Sequence, residues 1–433
     1  MKVVIIGAGL AGLAASDAMA RAGREVAIFE ANPHWGGRAG SLNENGFVFD
    51  QGPHVSFTTD KAVQELFTRG AGQVEEFRAR ITNAFRGRWV THPAQCHLYG
   101  LDPGLVTDCI ADFVSTQQNP PQVKTYADWC VAMFGNTFAE NFPLAYTRKY
   151  WTREAAELSI DWVGVRMYPP KLKEVIRGAL EPDQEGDFHY LTRFRYPTLG
   201  GYQAFLREMV RPELIRLNKK VVQLDVREKV LSFSDGTCTS YDSLISTMAL
   251  PCLIRAIRQE QVPPEVRLAA GKLSCTSLIL VDMAVTRRDL FTHHWFYVYD
   301  EEISFARAHF PHMLSPRNAP DGQGSIQMEV YHSPFRALPC DRENLAQRVV
   351  DDLLKLKVLR CKEEVLWVRQ REIRYANVIF DHDRAAALSI IVSWVNRQGI
   401  HLAGRYGEWG YLWSDDATRS GWNAANRILK NGF

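Results

Sequence analysis

The residues with the clearest chemical capacity stand at the start of the chain. Gly7-Ala8-Gly9-Leu10-Ala11-Gly12 has the form Gly-x-Gly-x-x-Gly. At that spacing Gly7 permits a tight turn, Gly9 lets the backbone approach a pyrophosphate, and Gly12 lets a helix pack hard against a strand. Glu30 lies about 20 residues past the glycines, where a carboxylate accepts hydrogen bonds from an adenosine ribose diol and disfavours a 2′-phosphate. Gly36-Gly37-Arg38 adds a second glycine turn with a cation, and Asp50-Gln51-Gly52-Pro53-His54 adds a bend with a titratable ring.

These residues need elements to hold them. Residues 2–6 form a β-branched run that fits a buried parallel strand. Residues 13–22 are Ala-rich and end at Gly23, as a helix and its cap should, and residues 25–30 read as the next strand. Strand, glycine turn, helix, strand and acidic residue thus occur in the order of a nucleotide-binding unit, whose helix N-terminus offers free N–H groups to phosphate.

The whole chain sets bounds. Its 433 residues, 46% hydrophobic and 23% charged, suffice for two globular cores. With 51 basic against 49 acidic residues the net charge is +2, which argues against a nucleic-acid partner. Eight scattered cysteines without a C-x-x-C pair read as free thiols in a cytoplasmic setting. No run approaches the ~18 apolar residues of a spanning helix. Residues 388–395 are expected to form a buried strand. Peripheral membrane contact and oligomeric state stay open. His309 and His312 lack further ligands at metal spacing, so no metal is expected.

Along the chain, residues 105–114, 126–134 and 171–180 are helical patterns broken by prolines, which suggests a helical insertion over the nucleotide. Residues 203–210 read as helix. Strands are expected at 220–226, 229–233, 244–247, 274–285, 295–299, 303–310 and 325–331, and an amphipathic helix at 341–356, with more strands through 363–395. A last helix follows Ser414-Asp415-Asp416-Ala417.

Several of these segments resemble the flavin amine oxidoreductase superfamily, especially its protoporphyrinogen oxidase-like and UDP-galactopyranose mutase-like FAD proteins. The resemblance rests on Gly36-Gly37-Arg38, on residues 50–54, on AYTRKYWTREAAELSIDW at 145–162, on RYPTLGGY at 195–202, and on both the 220–251 and 401–417 stretches. It implies an α/β fold: a Rossmann-type FAD-binding domain of the glutathione-reductase/amine-oxidase type (1–90, 196–262, 396–433) and a mixed sheet-plus-helical-cap substrate domain (91–195, 263–395). FAD would be non-covalent. Arg38 would neutralise the pyrophosphate, while the backbone at Pro53 and His54 would run along the flavin. The Val221-Val222 backbone would meet adenine, with Thr247 and Ala249 bordering the pyrophosphate. Gly404 and Arg405 would lie near the pyrophosphate and ribityl chain, and Asp415 or Asp416 at the ribityl hydroxyls. The helix N-terminus around Ala417 would aim at the flavin N1 and O2 edge, where it stabilises the charge of reduced flavin.

His54 is the expected catalytic residue of the first motif, its charge tuning the flavin. Trp409 and Tyr411 are the candidates of the last, either lining the flavin face or packed in the core. Amine oxidases of the superfamily carry a Lys near N5. The corresponding position is near Ser277 and the nearest Lys is Lys272, which speaks against amine oxidation. The leading expectation is hydride transfer to flavin N5 from a small or carrier-linked metabolite. The alternative is isomerisation, since in UDP-galactopyranose mutase reduced flavin attacks a sugar carbon without net redox. A flavoprotein that binds without turnover is a third. Arg148, Lys149, Arg153 and Arg166 in the cap favour a polar substrate over a porphyrinogen or polyene.

Overall fold

The structure, a computed structural model, describes residues 1–182, 184 and 186–431. Its first sheet grows from the N-terminal run. Lys2–Ile6 pairs in parallel with Glu25–Phe29 on one side and Ser243–Ser246 on the other, with Val4 opposite Ala27 and Leu244. Ile400–Leu402 and Ile215–Arg216 form the two edges. Val3, Val4 and Ile5 are fully buried, as a strand covered on both faces requires. On one face the helices Leu10–Arg21 and Ser414–Asn431 share a core of Ala11, Ala14, Ala424, Ala425 and Ile428. Small residues bring them together: a Cβ on Gly421 would stand 2.2 Å from the Ala11 carbonyl oxygen. The other face carries the antiparallel sheet Val221–Asp225, Val230–Phe233 and Cys238–Ser240, with Phe233 stacked on Phe29 at 4.7 Å.

The second sheet has seven strands in the order Val365–Ile373, Ser277–Val285, Gly324–His332, Arg307–His309, Trp295–Val298, Ile81–Phe85, Arg88–Thr91. Neighbours are antiparallel except Trp295–Val298 with Ile81–Phe85. Residues 81–90, assigned from sequence to the cofactor side of a boundary at 90, therefore hydrogen-bond into this sheet. The alternation of Ser277–Val285 separates its faces. Ile279, Val281 and Met283 pack on Leu345, Val349 and Leu353 of the helix Arg342–Lys355. Leu278 and Leu280 turn the other way, toward Tyr146 and Tyr150 of the cap.

The cap is held by aromatic packing. Pro103–Gln118, Tyr126–Phe134, Ala145–Tyr150 and Leu172–Leu180 are its helices, and Phe113, Phe134, Phe138, Phe142, Trp151 and Trp162 its core. Pro143 sits in the wide helical turn Glu140–Leu144, where its missing N–H is absorbed.

Some expectations fail in detail. The apolar run at 388–395 is not a strand; it lies in the helix Arg384–Arg397. Eight apolar residues do not by themselves separate helix from strand. Ala385-Ala386-Ala387 extends the run backward, and burial falls on Ala387, Ile391, Trp394 and Val395, a helical spacing, while Ile390 is 44% exposed. Of residues 303–310 only Arg307–His309 is strand, because Asp352 draws the Ser304 N–H into a turn at 2.8 Å. Residues 203–210 coil as 3₁₀ turns over Tyr202–Met209.

Candidate active site

The carboxyl ends of Lys2–Ile6 and Ser243–Ser246 open on a cavity of about 930 Å³ that reaches the inner face of the seven-stranded sheet. Gly7, Gly9, Glu30, Gly37, Arg38 and Thr247 line it on the side of the parallel sheet. Gly7 has φ +98°, and a Cβ on it would lie 2.2 Å from Thr247 Oγ1. Gly12 stays outside the cavity and packs beneath it, its absent Cβ 2.0 Å from the Gly7 carbonyl oxygen. The two glycine turns meet: Gly9 bridges Gly36, and a Cβ on Gly37 would come within 3.0 Å of Gly9 Cα. Gly9 itself has φ −80°, with nothing nearer to a Cβ than Gly37 Cα at 3.8 Å. The space in front of Gly9 is open. Glu30 braces this turn by accepting from the Ala8 N–H at 2.8 Å and from the Asn32 N–H and side-chain amide at 2.9 and 2.6 Å.

Asp50 anchors the Gly-Pro bend. Its carboxylate accepts from the Ser41 hydroxyl at 2.5 Å, the Tyr202 N–H at 3.0 Å and the Tyr196 hydroxyl at 2.8 Å. Burial nonetheless raises its pKa from 3.8 to about 6, overriding these hydrogen bonds and Arg371. The native state then keeps a proton that the unfolded chain releases between about pH 4 and pH 6, so stability falls as pH rises through that window, by about 3 kcal/mol at most. Asp50→Asn should flatten that limb of a melting-temperature profile between about pH 4 and pH 7. Parallel profiles for the two proteins would refute it.

His54 donates from Nδ1 to the Gly52 carbonyl at 2.8 Å, with its ring 5.3 Å from that of Tyr202. Burial, and after it the Arg38 charge, lower its pKa to about 4. His54 lines the cavity, where burial favours its neutral form. The ring is neutral at ordinary pH and presents Nε2 as an acceptor.

The C-terminal candidates divide. Tyr411 stands on the cavity wall, its hydroxyl 2.9 Å from that of Tyr150. The Arg166 and Arg405 guanidinium groups each lie 4.4 Å from its ring centre. Arg405 also donates to the Asn377 side-chain oxygen at 2.9 Å. Gly404, Pro53, Ser414 and Ala417 line the cavity. Trp409 does not. It is fully buried in the core at φ +53°, its carbonyl accepting from Arg384 Nε at 3.0 Å, so a catalytic role is withdrawn. Asp415 and Asp416 also miss the cavity wall; Asp416 instead caps the helix start, accepting the Trp413 N–H at 3.0 Å. Val221 lines the cavity, whereas the Val222 side chain is 50% exposed away from it.

Sequence reasoning missed the other wall. Arg307 donates from Nε and Nη2 to Glu329 at 2.6 and 2.9 Å, the two residues lying opposite each other across paired strands. Tyr150, Tyr190, Tyr297 and Tyr331 line the same region. Burial pushes the phenols of Tyr150, Tyr297 and Tyr331 above their usual range, so they are neutral hydroxyls. Of the cap cations, Arg148 pairs with Glu301, Lys149 donates to the Val298 and Asp300 carbonyls, and Arg153 lies over Phe335. Only Arg166 of the four stacks on residues of the cavity wall, Tyr411 and Trp413. Lys219 and Lys220 are the lysines among the described wall residues, both at the nucleotide end. Lys272 pairs with Asp383 at 2.9 Å on the surface. Among the described residues no three His, Cys, Asp or Glu side chains converge on a metal position.

Two touching glycine turns, a braced acidic residue and a long cavity over a parallel sheet define a dinucleotide-dependent enzyme. The chain belongs to the flavin containing amine oxidoreductase family, whose sequence model it matches over residues 10–429. It is a flavin-dependent enzyme of that oxidoreductase family, with FAD as cofactor. Among curated relatives, 4,4′-diapophytoene desaturase (4,4′-diaponeurosporene-forming) of Staphylococcus aureus is 42% identical over 77 residues, which is 18% of this chain and only 15% of the desaturase. Among solved structures, reduced UDP-galactopyranose mutase aligns with TM-score 0.93 at 24% identity, over 99% of this chain and 96% of the other. Putrescine oxidase bound to putrescine aligns with TM-score 0.68 at 16% identity, over 99% of each. At these identities the likenesses are of fold. No described helix is long and apolar enough to cross a membrane.

Proposed function

We propose that this enzyme binds FAD along the parallel sheet and, with the flavin reduced, isomerises the sugar of a nucleotide-linked substrate. Glu30 would take the adenosine ribose, Val221 would lie beside adenine, and Gly9, Gly37 and Arg38 would hold the pyrophosphate. His54 Nε2, Arg405 and the N-terminus of Ser414–Asn431 would face the flavin ring, where a helix N-terminus favours negative charge. Reduced flavin supplies an electron-rich ring.

The observation that carries the substrate class is the wall around Arg307. Its Nε and Nη2 edge is occupied by Glu329, which leaves Nη1 for a ligand anion, and the hydroxyls of Tyr150, Tyr297 and Tyr331 stand around it. Tyr150 pairs with Tyr411, and Tyr297 and Tyr331 engage Arg307 and Asn377, so the wall is a connected polar network rather than an apolar tunnel. A diphosphate-linked sugar can exchange hydrogen bonds with such a network, whereas a polyene offers it none. Apart from Arg38, Lys219, Lys220 and Glu30 at the nucleotide end, the cavity wall carries Arg307, Arg374 and Arg405 against Glu329 and Glu372, a small positive balance compatible with an anionic ligand. The close fold likeness to a UDP-galactopyranose mutase supports the chemistry. Hydride transfer from the substrate, the commoner activity of the family, is the competing chemistry.

UDP-galactopyranose added without oxygen to dithionite-reduced holoenzyme should yield its furanose isomer by chromatography. The oxidised enzyme should give none and keep its visible flavin band. Bleaching of oxidised enzyme with a two-electron product would establish hydride transfer instead. Glu30→Ala should weaken FAD about tenfold to a hundredfold, because the Ala8 N–H loses its acceptor along with the ribose contact. FAD affinity within a factor of about two of wild type would remove Glu30 from the cofactor site.

A further inference from the structure

Arg307 has its carboxylate, but a neighbour on the same strand face does not have a partner. His309 is two residues along Arg307–His309, so its side chain points to the same side. It is 1% exposed, lines the cavity, and neither ring nitrogen has a hydrogen bond of good geometry. Trp295 and Gln327 stand opposite it on the flanking strands; the Gln327 backbone is close enough to offer one ring nitrogen a weak hydrogen bond, and His54 is near enough to act on the ring electrostatically. A structural histidine this deeply buried would normally have its nitrogens satisfied. A metal role lacks companion ligands among the described residues.

The chemistry of the vacant partner follows from the ring's charge. Burial and Arg307 hold the His309 pKa well below its ordinary value, so the imidazole is neutral, with one N–H donor and one acceptor nitrogen. Phosphate and carboxylate only accept, and ammonium only donates. A hydroxyl does both. We propose that His309 forms a second polar subsite beside His54 that takes a sugar hydroxyl of the substrate, and so acts as a specificity-determining residue against deoxygenated ligands. This rests on the sugar-nucleotide reading. A site built to hydrogen-bond a hydroxyl rejects an analogue lacking it because its own polar groups are then left unpaired.

The test uses reduced holoenzyme and flavin absorbance to measure dissociation constants for UDP, UDP-galactopyranose and its 2-, 3-, 4- and 6-deoxy analogues. Wild type should bind one deoxy analogue at least about tenfold more weakly than the parent sugar nucleotide. His309→Leu should bind the parent about tenfold more weakly and bind that analogue no more weakly than the parent, with UDP unchanged. His309→Asn, which keeps a donor and an acceptor, should restore most of the discrimination, and both variants should retain FAD. Discrimination that persists in His309→Leu, or a wild type that binds every analogue within about twofold of the parent, overturns the subsite alone. A wild type that binds neither UDP nor UDP-galactopyranose overturns the sugar-nucleotide reading and the subsite with it.

Discussion

Gly9→Val is expected to give a folded, colourless protein. The three glycines of the first turn differ in what a side chain would meet. At Gly7 the backbone has φ +98° and a Cβ would strike Thr247 Oγ1; at Gly12 it would lie 2.0 Å from the Gly7 carbonyl. Substitution at either breaks the fold before it can report on binding. Gly9 sits at φ −80°, which valine adopts, and its Cβ would point into open cavity. The isopropyl group would then take the volume proposed for the pyrophosphate at the N-terminus of Leu10–Arg21. FAD affinity should fall at least about a hundredfold in a flavin-fluorescence titration, while apo-protein melting stays within a few degrees of wild type. Wild-type affinity would reduce the glycine turn to a packing device.

Arg307→Met should lower turnover roughly a hundredfold to a thousandfold with FAD still bound, the range seen when one preorganised charge donor is removed. The same change strands Glu329, whose side chain is 3% exposed, and breaking a buried pair from one side costs about 3–5 kcal/mol. Lost stability could therefore imitate lost chemistry. The double variant Arg307→Met/Glu329→Gln separates them, because it removes both charges and should regain most of the melting temperature without regaining activity. A double variant with turnover near wild type would show that Arg307 serves packing only.

The nucleotide half was legible because its chemistry is local. Gly7, Gly9, Gly12 and Glu30 lie within one strand-helix-strand unit, and turn geometry fixes which residue types can occupy it. The substrate wall was not, since Arg307, Glu329, Tyr297 and Tyr331 come from three strands whose register no local pattern states. A trace existed: Arg307 and Glu329 are opposite charges inside stretches that otherwise carry no formal charge, and a buried charge needs a partner. Trp409, Asp415 and Asp416 show the converse limit. Their motif was recognised, yet motif spacing does not resolve which of its side chains meet the cavity, which pack in the core as Trp409 does and which cap the helix as Asp416 does. The run at 388–395 failed because an apolar octet carries no period of its own.

The most direct measurement counts product against reductant. Holoenzyme reduced once by a single equivalent of dithionite, sealed from oxygen and given excess UDP-galactopyranose, is expected to form many furanose products per flavin while the flavin remains reduced. One product or fewer per two electrons supplied, or turnover by oxidised enzyme with loss of its visible band, would contradict isomerisation and leave hydride transfer as the reaction.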